Sequence, residues 1–153
     1  MKPSEFRSRV LALDGERHHF SAGLTVVELV EWRARHRGLA LPDDLIGFYR
    51  MSNGVRFGVD MDPRGSMSLS SLQDLEPARQ RMWSGDGGLS PDDIPLPHWL
   101  AISDHVDGAC FIVLDPDAAA YYLMDACGAD LSCPLGNSFD EVLDYIWQDW
   151  VSS

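Results

Sequence analysis

The clearest pattern of apolar positions predicts a helix near the end of the chain. Apolar residues recur there at helical spacing and form one stripe, which consists of Phe139, Val142, Leu143, Ile146 and Trp150. Ser138 and Glu141 stand three residues apart and form a capping box, which marks the start of a helix. Acidic side chains occupy the other side, so we expect this helix to pack on a sheet and to turn an acidic face to water.

Three further helices are predicted in the first third of the chain. Residues 4–14 are expected to form a short helix. A second capping box, Thr25 with Glu28, opens a helix that runs to about Arg37. The third helix lies within residues 41–53, where a proline and two acids suit the first turn and an Asn-Gly pair suits the end.

Runs of apolar and β-branched residues predict the strands of a sheet. Short strands are expected at residues 55–59, 67–70, 99–102 and 120–124. Residues 109–115 are apolar on both faces, which indicates a central strand that is covered on two sides. Residues 71–83 have a helical pattern, but Pro77 lies too deep for an unbroken helix, so we expect a kink or a new helix there. Glycines and prolines make residues 84–98 a loop.

Length and composition describe an ordinary globular chain. The sequence has 153 residues, 45% of them hydrophobic and 24% charged, which fits one domain better than two. It contains neither a run of 18 apolar residues nor the apolar core of a signal peptide, so we expect a cytoplasmic location and no contact with a membrane. The odd number of cysteines, Cys110, Cys127 and Cys133, favours reduced thiols.

The charges are divided unevenly between the two halves of the chain. Residues 1–81 hold all 12 Lys and Arg and 11 of the 24 acids, whereas residues 82–153 hold the other 13 acids and no Lys or Arg. The second half therefore repels nucleic-acid phosphates and attracts a basic partner or a cation. We expect a basic protein partner and no nucleic-acid binding. The plainer alternative is an acidic face that only confers solubility.

Motifs for catalysis and metal binding are weak. Asp60, Asp62 and Gly65 imitate the start of a calcium-binding loop, but the fifth and twelfth positions lack suitable ligands. His105 and Cys110 suggest a nucleophile with its base, yet Cys110 lies in the predicted central strand, where a free cysteine usually behaves as a small apolar residue. The sequence therefore favours a binding module over an enzyme and implies neither a cofactor nor a metal.

Several short motifs stand in a characteristic order along the chain. They are Leu41-Pro42 with the helix to Asn53-Gly54, Leu100–Asp104 before Gly108, Phe111–Asp115, and Asn137–Leu143. In this order they resemble the SUKH superfamily, which includes the fungal cell-wall-synthesis regulator and many bacterial immunity proteins. The resemblance spans about residues 25–150. Family members often carry a glycine before the strand that follows the central hairpin, where this chain has Ala118-Ala119-Ala120.

The resemblance implies an α+β fold that forms a single domain over residues 1–153. Helices would pack around a mostly antiparallel or mixed central sheet, which agrees with the order of the predicted elements. The resemblance also implies a protein without catalytic activity that, in bacteria, binds and neutralises a cognate toxin domain, often a nuclease. The alternative is an interaction or signalling scaffold of the same fold without a toxin partner.

We expect acids at turns and strand ends to contact the partner, because these acids can converge at one rim of the sheet. An acidic rim would complement the basic cleft of a nuclease. The first choice is Asp60, Asp62, Asp104, Asp107, Asp115 and Asp117. The second choice is the loop acids Asp86, Asp92 and Asp93. The oligomeric state is left open, because the two tryptophans at the end of the closing helix fit either a core or a self-association patch.

Overall fold

The computed structural model describes residues 1–58, 67–81, 98–104, 110–125 and 128–152. The helices are α1 (Pro3–Asp14), α2 (Val26–Arg35), α3 (Asp43–Met51) and α4 (Phe139–Ile146), and a π-helical turn, Trp147–Val151, continues α4. The strands are β1 (His19–Phe20), β2 (Val55–Phe57), β3 (Met67–Leu69), β4 (Glu76–Pro77), β5 (Leu100–Ala101), β6 (Cys110–Asp115), β7 (Ala120–Asp125) and β8 (Gly128–Gly136). This mixture of helices and antiparallel strands confirms the predicted α+β class.

The strands form two antiparallel sheets that are joined at one segment. The first sheet has the order β1-β2-β3, and the second has the order β4-β5-β6-β7-β8. The segment after β5 joins them, because the Ser70 amide donates to the Ile102 carbonyl at 2.9 Å and the Asp104 amide donates to the Ser68 carbonyl at 2.9 Å. Strands β3 and β4 therefore follow one another along the same side of residues 100–104.

Strand β6 is covered on both faces, as its apolar pattern predicts. Phe111, Ile112, Val113 and Leu114 are all fully buried. Ile112 and Leu114 belong to the main core, which the helices share. Phe111 and Val113 belong to a second, smaller cluster on the other face, together with Met124. The strand thus contributes to two apolar layers, which is why its sequence does not alternate.

Both predicted capping boxes are present. The Thr25 hydroxyl accepts a hydrogen bond from the Glu28 amide at 3.2 Å, and the Glu28 carboxylate accepts one from the Thr25 amide at 2.8 Å. These hydrogen bonds hold the pKa of Glu28 below its usual value. Ser138 and Glu141 repeat the arrangement at the start of α4. Helix α2 ends at Arg35, slightly before the predicted end.

Asp44 ties helix α3 to strand β7 and helix α4. Its carboxylate accepts three hydrogen bonds, from the Leu45 amide, the Phe139 amide and the Tyr121 hydroxyl. Phe139 is the first residue of α4, where an amide has no partner within its own helix. Burial, together with the charge of Asp44, raises the pKa of Tyr121. One side chain in the first turn of α3 therefore stabilises the junction of three elements.

The structure has the predicted break near Pro77, but it corrects the type of the helical segments that were expected over residues 71–83. Two 3₁₀-helices, Leu72–Asp74 and Ala78–Arg81, lie there instead, with strand β4 between them. Glu76 and Pro77 of β4 pair with β5 at the edge of the second sheet. An edge strand tolerates proline because its missing N–H is not needed for pairing on the open side. Long-range pairing therefore prevails over the local helical pattern.

Strand β8 is an element that the sequence pattern did not predict. It pairs with β7 through an irregular register, with shifts between Tyr121 and Tyr122 and between Leu123 and Asp125. It also contains Pro134, and both features obscure the alternation by which a strand is recognised. Of the predicted loop at residues 84–98, all but the last residue lies outside the described residues.

Candidate functional site

A row of polar side chains crosses the outer face of the first sheet. Arg56 pairs with His19 on one neighbouring strand and with Ser68 on the other. Arg56 stands between the buried residues Val55 and Phe57, so its side chain lies on the opposite face from the core. The alternation of apolar and polar residues in these short strands therefore builds a polar surface above a buried layer.

Asp104 extends this row beyond strand β3. Its carboxylate accepts a hydrogen bond from the Ser68 hydroxyl at 2.6 Å and forms an ion pair with Arg81. Arg81 also donates to the Ser103 carbonyl at 3.0 Å, and its Nε lies 2.7 Å from Oε1 of Glu76. The Arg81 side chain is 12% exposed, whereas those of Asp104 and Glu76 are 61% and 38% exposed. A nearly buried guanidinium thus holds two carboxylates that remain accessible to solvent.

A groove of about 570 Å³ runs over the polar row, and residues 71–76 form one of its sides. Asn53 fixes that side through two hydrogen bonds. Its side-chain oxygen accepts from the Leu72 amide at 2.8 Å, and its side-chain nitrogen donates to Gln73 at 2.8 Å. The end of helix α3 therefore positions the first 3₁₀-helix above the sheet.

Gly54 allows the chain to pass close to strand β3 at one end of the groove. Its φ is +102°, and a Cβ atom there would lie 3.0 Å from the Leu69 carbonyl oxygen. The predicted end of helix α3 near Asn53-Gly54 is confirmed. Gly54 also permits the close approach to strand β3.

Ser70 is a polar residue in the lining of the groove that is itself 7% exposed. Its buried hydroxyl has no hydrogen-bond partner within the described part of the chain. Nearly all buried polar groups in proteins are hydrogen-bonded, so such a hydroxyl marks a place where a bound group would find a partner.

The groove has an acidic end. Asp74, Glu76 and Asp104 line it, and the last two are ion-paired with Arg81. Arg56 lies two strands away from Asp104, which is about 10 Å at the usual spacing between strands. A cationic group that enters the groove is therefore attracted to the end at residues 74–76 and 104.

The structure describes three of the six acids that were our first choice for partner contact, and it does not bring all three together. Asp104 lies at the groove, whereas Asp115 and Asp117 lie at the turn between β6 and β7. Leu100 pairs with Leu114 in the antiparallel register, so Asp104 and Asp115 lie toward opposite ends of β6. The other predicted acids lie outside the described residues, and these are Asp60, Asp62, Asp107, Asp86, Asp92 and Asp93.

Asp115 shapes the turn that follows it. Its carboxylate accepts hydrogen bonds from the amides of Asp117 at 3.0 Å and Ala118 at 3.3 Å. Ala119 has a φ of +49°, in the left-handed region that favours glycine. Ala119 therefore adopts a backbone conformation to which glycine is better suited. Asp117 is exposed at the tip.

Helix α4 has the predicted apolar stripe, but its acidic face is less open to water than we expected. Asp140 is paired with Lys2 at 2.6 Å, and its side chain is 23% exposed. Asp144 lies 2.9 Å from the amino group of Met1. The two tryptophans at the end of the helix are partly buried against the main core. The start of the chain therefore covers and partly neutralises this face.

The described residues offer groups for binding. No cluster of three His, Cys, Asp or Glu side chains suited to a metal ion occurs among them. Cys110 is half-buried, and its proposed partner His105 lies outside the described residues, as do Asp60, Asp62 and Gly65 of the calcium-like motif. The groove itself supplies hydroxyls, amides and ion-paired side chains, which are suited to recognition by hydrogen bonds and charge.

The family model for SMI1 / KNR4 (SUKH-1) matches residues 23–145 of the chain. The chain belongs to the SMI1/KNR4 family. This confirms the SUKH resemblance, and the matched region includes most of the groove of this SUKH-1 domain. No curated protein matches the chain. Within the described ranges, no helix of the chain has the length and apolar character needed to cross a bilayer.

The sequence pattern identified Asp104 but missed the rest of the acidic end of this SUKH-1 groove. Asp74, Glu76 and Arg81 fall in residues 71–83, for which the pattern predicts a helix. The signal for the correct structure is Pro77, which is compatible with an edge strand and leaves Glu76 beside β5.

Proposed function

We propose that this SUKH-1 protein is an immunity protein that binds a bacterial toxin domain directly and neutralises it. The observation that carries the proposal is the family match over residues 23–145. Proteins of this family are immunity or regulatory proteins without known catalysis, which implies a protein partner. The groove of the polar row suits such a partner because it offers charged and hydrogen-bonding side chains in an open position.

The charge distribution supports a basic toxin as the partner, for instance a nuclease that holds phosphates in a basic cleft. The chain carries a formal net charge of −12, and its second half has no Lys or Arg. Acidic groups would accelerate association with a basic cleft and compete there with nucleic acid. We retain the six acids of our first choice as proposed contacts, and Asp104 and Asp117 are the exposed ones among the described residues.

Co-expression with the protein encoded by the neighbouring gene tests this proposal. We expect cells that die when the neighbour is expressed alone to survive when this chain is present, and we expect the two proteins to co-purify in a stoichiometric complex. A neighbour that is harmless alone and forms no complex would contradict the proposal. A stable complex with a harmless protein would instead indicate an interaction scaffold.

A further inference from the structure

We propose that the acidic end of the groove is the site where a basic side chain of the protein partner, preferably an arginine, inserts. This inference rests on the proposed function, because it assigns part of the partner-binding surface. The juxtaposition that supports it is that of three carboxylates, on Asp74, Glu76 and Asp104, with the unpartnered hydroxyl of Ser70 in one groove.

The groove lining carries a surplus of negative charge, because it has the three carboxylates of Asp74, Glu76 and Asp104 and the two guanidiniums of Arg56 and Arg81. Arg81 is the guanidinium that contacts Glu76 and Asp104, and it is nearly buried beneath them. The Glu76 side chain is 38% exposed and Asp74 is exposed, and an ionised carboxylate offers about four acceptor sites on its two oxygens. A second guanidinium can therefore bind from the solvent side. Arginine is preferred to lysine because its planar group can donate to two oxygens at once.

Hydrogen bonds and ion pairs hold the acidic end of the groove in place. Arg81 fixes Glu76 and Asp104, and the Ser68 hydroxyl donates to Asp104 at 2.6 Å. The Ser71 hydroxyl donates to the carboxylate of Asp74 at 2.7 Å. These side chains are already ordered without a ligand, so an entering side chain meets a site that needs little rearrangement.

The Ser70 hydroxyl is buried in the lining of the groove and has no hydrogen-bond partner among the described residues. Its oxygen is shielded from solvent in the free protein, and rotation about χ1 toward the groove lets it donate to a carbonyl or accept from an amide of an entering chain. A peptide backbone that follows the inserted side chain along the groove supplies both groups. The site therefore fits an arginine together with its flanking main chain, rather than an isolated cation.

A peptide titration of the full chain, followed by amide resonances in NMR spectra, tests this assignment. The probe is acetyl-Ser-Arg-Ser-amide. The controls are the same peptide with citrulline, which removes the charge, and with glutamate, which reverses it. We expect saturable shifts at residues 68–71, 76 and 104 with the arginine peptide, and binding weaker by about tenfold or more with citrulline. Equal responses to arginine and citrulline, or no saturable shift in the groove, would overturn the assignment.

Three variants sharpen the test. Glu76→Gln should weaken binding of the arginine peptide about tenfold. Ser70→Ala should weaken it without lowering the melting temperature, because the hydroxyl loses no partner within the described part of the fold. Glu31→Gln removes an exposed acid of helix α2, outside the groove, and should leave binding unchanged. Binding that responds to Glu31→Gln but not to Glu76→Gln would place the site elsewhere.

This assay contains no toxin, so it separates the groove from the proposed function. Saturable binding in the groove without rescue of cells would refute the immunity role alone. Rescue of cells without binding of the arginine peptide would refute the groove assignment alone.

Discussion

Asp43 and Asp44 show how neighbouring residues of the same type acquire different tasks. Both suit the first turn of helix α3, and the sequence pattern treats them alike. In the folded chain, Asp43 is exposed, whereas Asp44 accepts hydrogen bonds from β7 and from the start of α4. The helix start was predictable because it depends on local sequence. The tertiary role of Asp44 was not, because its partners lie 77 and 95 residues away.

The difference gives a prediction with a matched control. Asp44→Ala should lower the free energy of unfolding by about 1–3 kcal/mol, because it leaves the Phe139 amide and the Tyr121 hydroxyl without their acceptor. Asp43→Ala should change it by less than about 0.5 kcal/mol. Urea denaturation of both variants measures these values. Equal losses would show that Asp44 acts only through the helix dipole.

Ala119 gives a second prediction at the scale of one residue. Its left-handed backbone costs alanine roughly 1–2 kcal/mol, of which the greater freedom of glycine in the unfolded chain offsets about 0.4–1 kcal/mol. Ala119→Gly should therefore stabilise the protein by about 0.5–1 kcal/mol. Ala118→Gly, at a position without positive φ, should destabilise it. Thermal unfolding of both variants measures these changes in stability. A destabilised Ala119→Gly variant would show that the backbone of Ala119 is not strained.

At the scale of elements, the quality of the sequence-based predictions follows the range of the interactions. Helices α2 and α4 begin where their capping boxes stand, because residues three apart determine those starts. The break near Pro77 was predicted from the local sequence. Strand β4 was not predicted, because it depends on pairing with residues 100–101, more than 20 residues away. Strand β8 was missed because its irregular register with β7 hides any alternation.

The ion pairs around Arg81 hold β4 and the second 3₁₀-helix against the segment that joins the sheets. Asp104→Lys should lower the free energy of unfolding by about 1–3 kcal/mol, because it places a like charge beside a nearly buried guanidinium. Asp117→Lys, at the exposed turn, should stay within about 0.5 kcal/mol of the parent. Chemical denaturation distinguishes the two. If Asp104→Lys is as stable as Asp117→Lys, Arg81 does not connect these elements.

At the scale of the whole molecule, two buried tyrosines link stability to alkaline pH. Burial raises the pKa values of Tyr49 and Tyr121 above their usual value of 10.0. Both phenols must be neutral in the folded state, so their contribution to stability is complete below pH 10 and is lost as the pH rises above it. We expect absorbance at about 295 nm to show that Tyr49 and Tyr121 ionise only as the circular dichroism signal of the folded protein disappears.

Tyr49→Phe supplies the control for this pH dependence. It removes one titrating phenol from the core and should make the alkaline loss of stability less steep. Ionisation of all tyrosines near pH 10 in a fully folded protein would contradict the burial of both phenols.

The candidate site was only partly predictable, because the net charge of a sequence segment does not determine which charges meet in space. The second half of the chain contains the excess of acids, yet Asp74 and Glu76 of the first half complete the acidic end of the groove. Conversely, Asp140 and Asp144 of the second half are paired with residues at the start of the chain. Asp104 was predicted because it follows a strand, whereas its partner Arg81 depends on an unforeseen sheet edge.

Titration of the toxin's activity with purified chain tests the central claim, direct neutralisation, most immediately. The protein encoded by the neighbouring gene is the toxin to be assayed. We expect its activity to fall in proportion to the added chain and to disappear at one equivalent. Glu31→Gln, a variant on the exposed side of helix α2 and outside the groove, serves as the folded comparison. Full toxin activity in the presence of excess chain would contradict direct neutralisation.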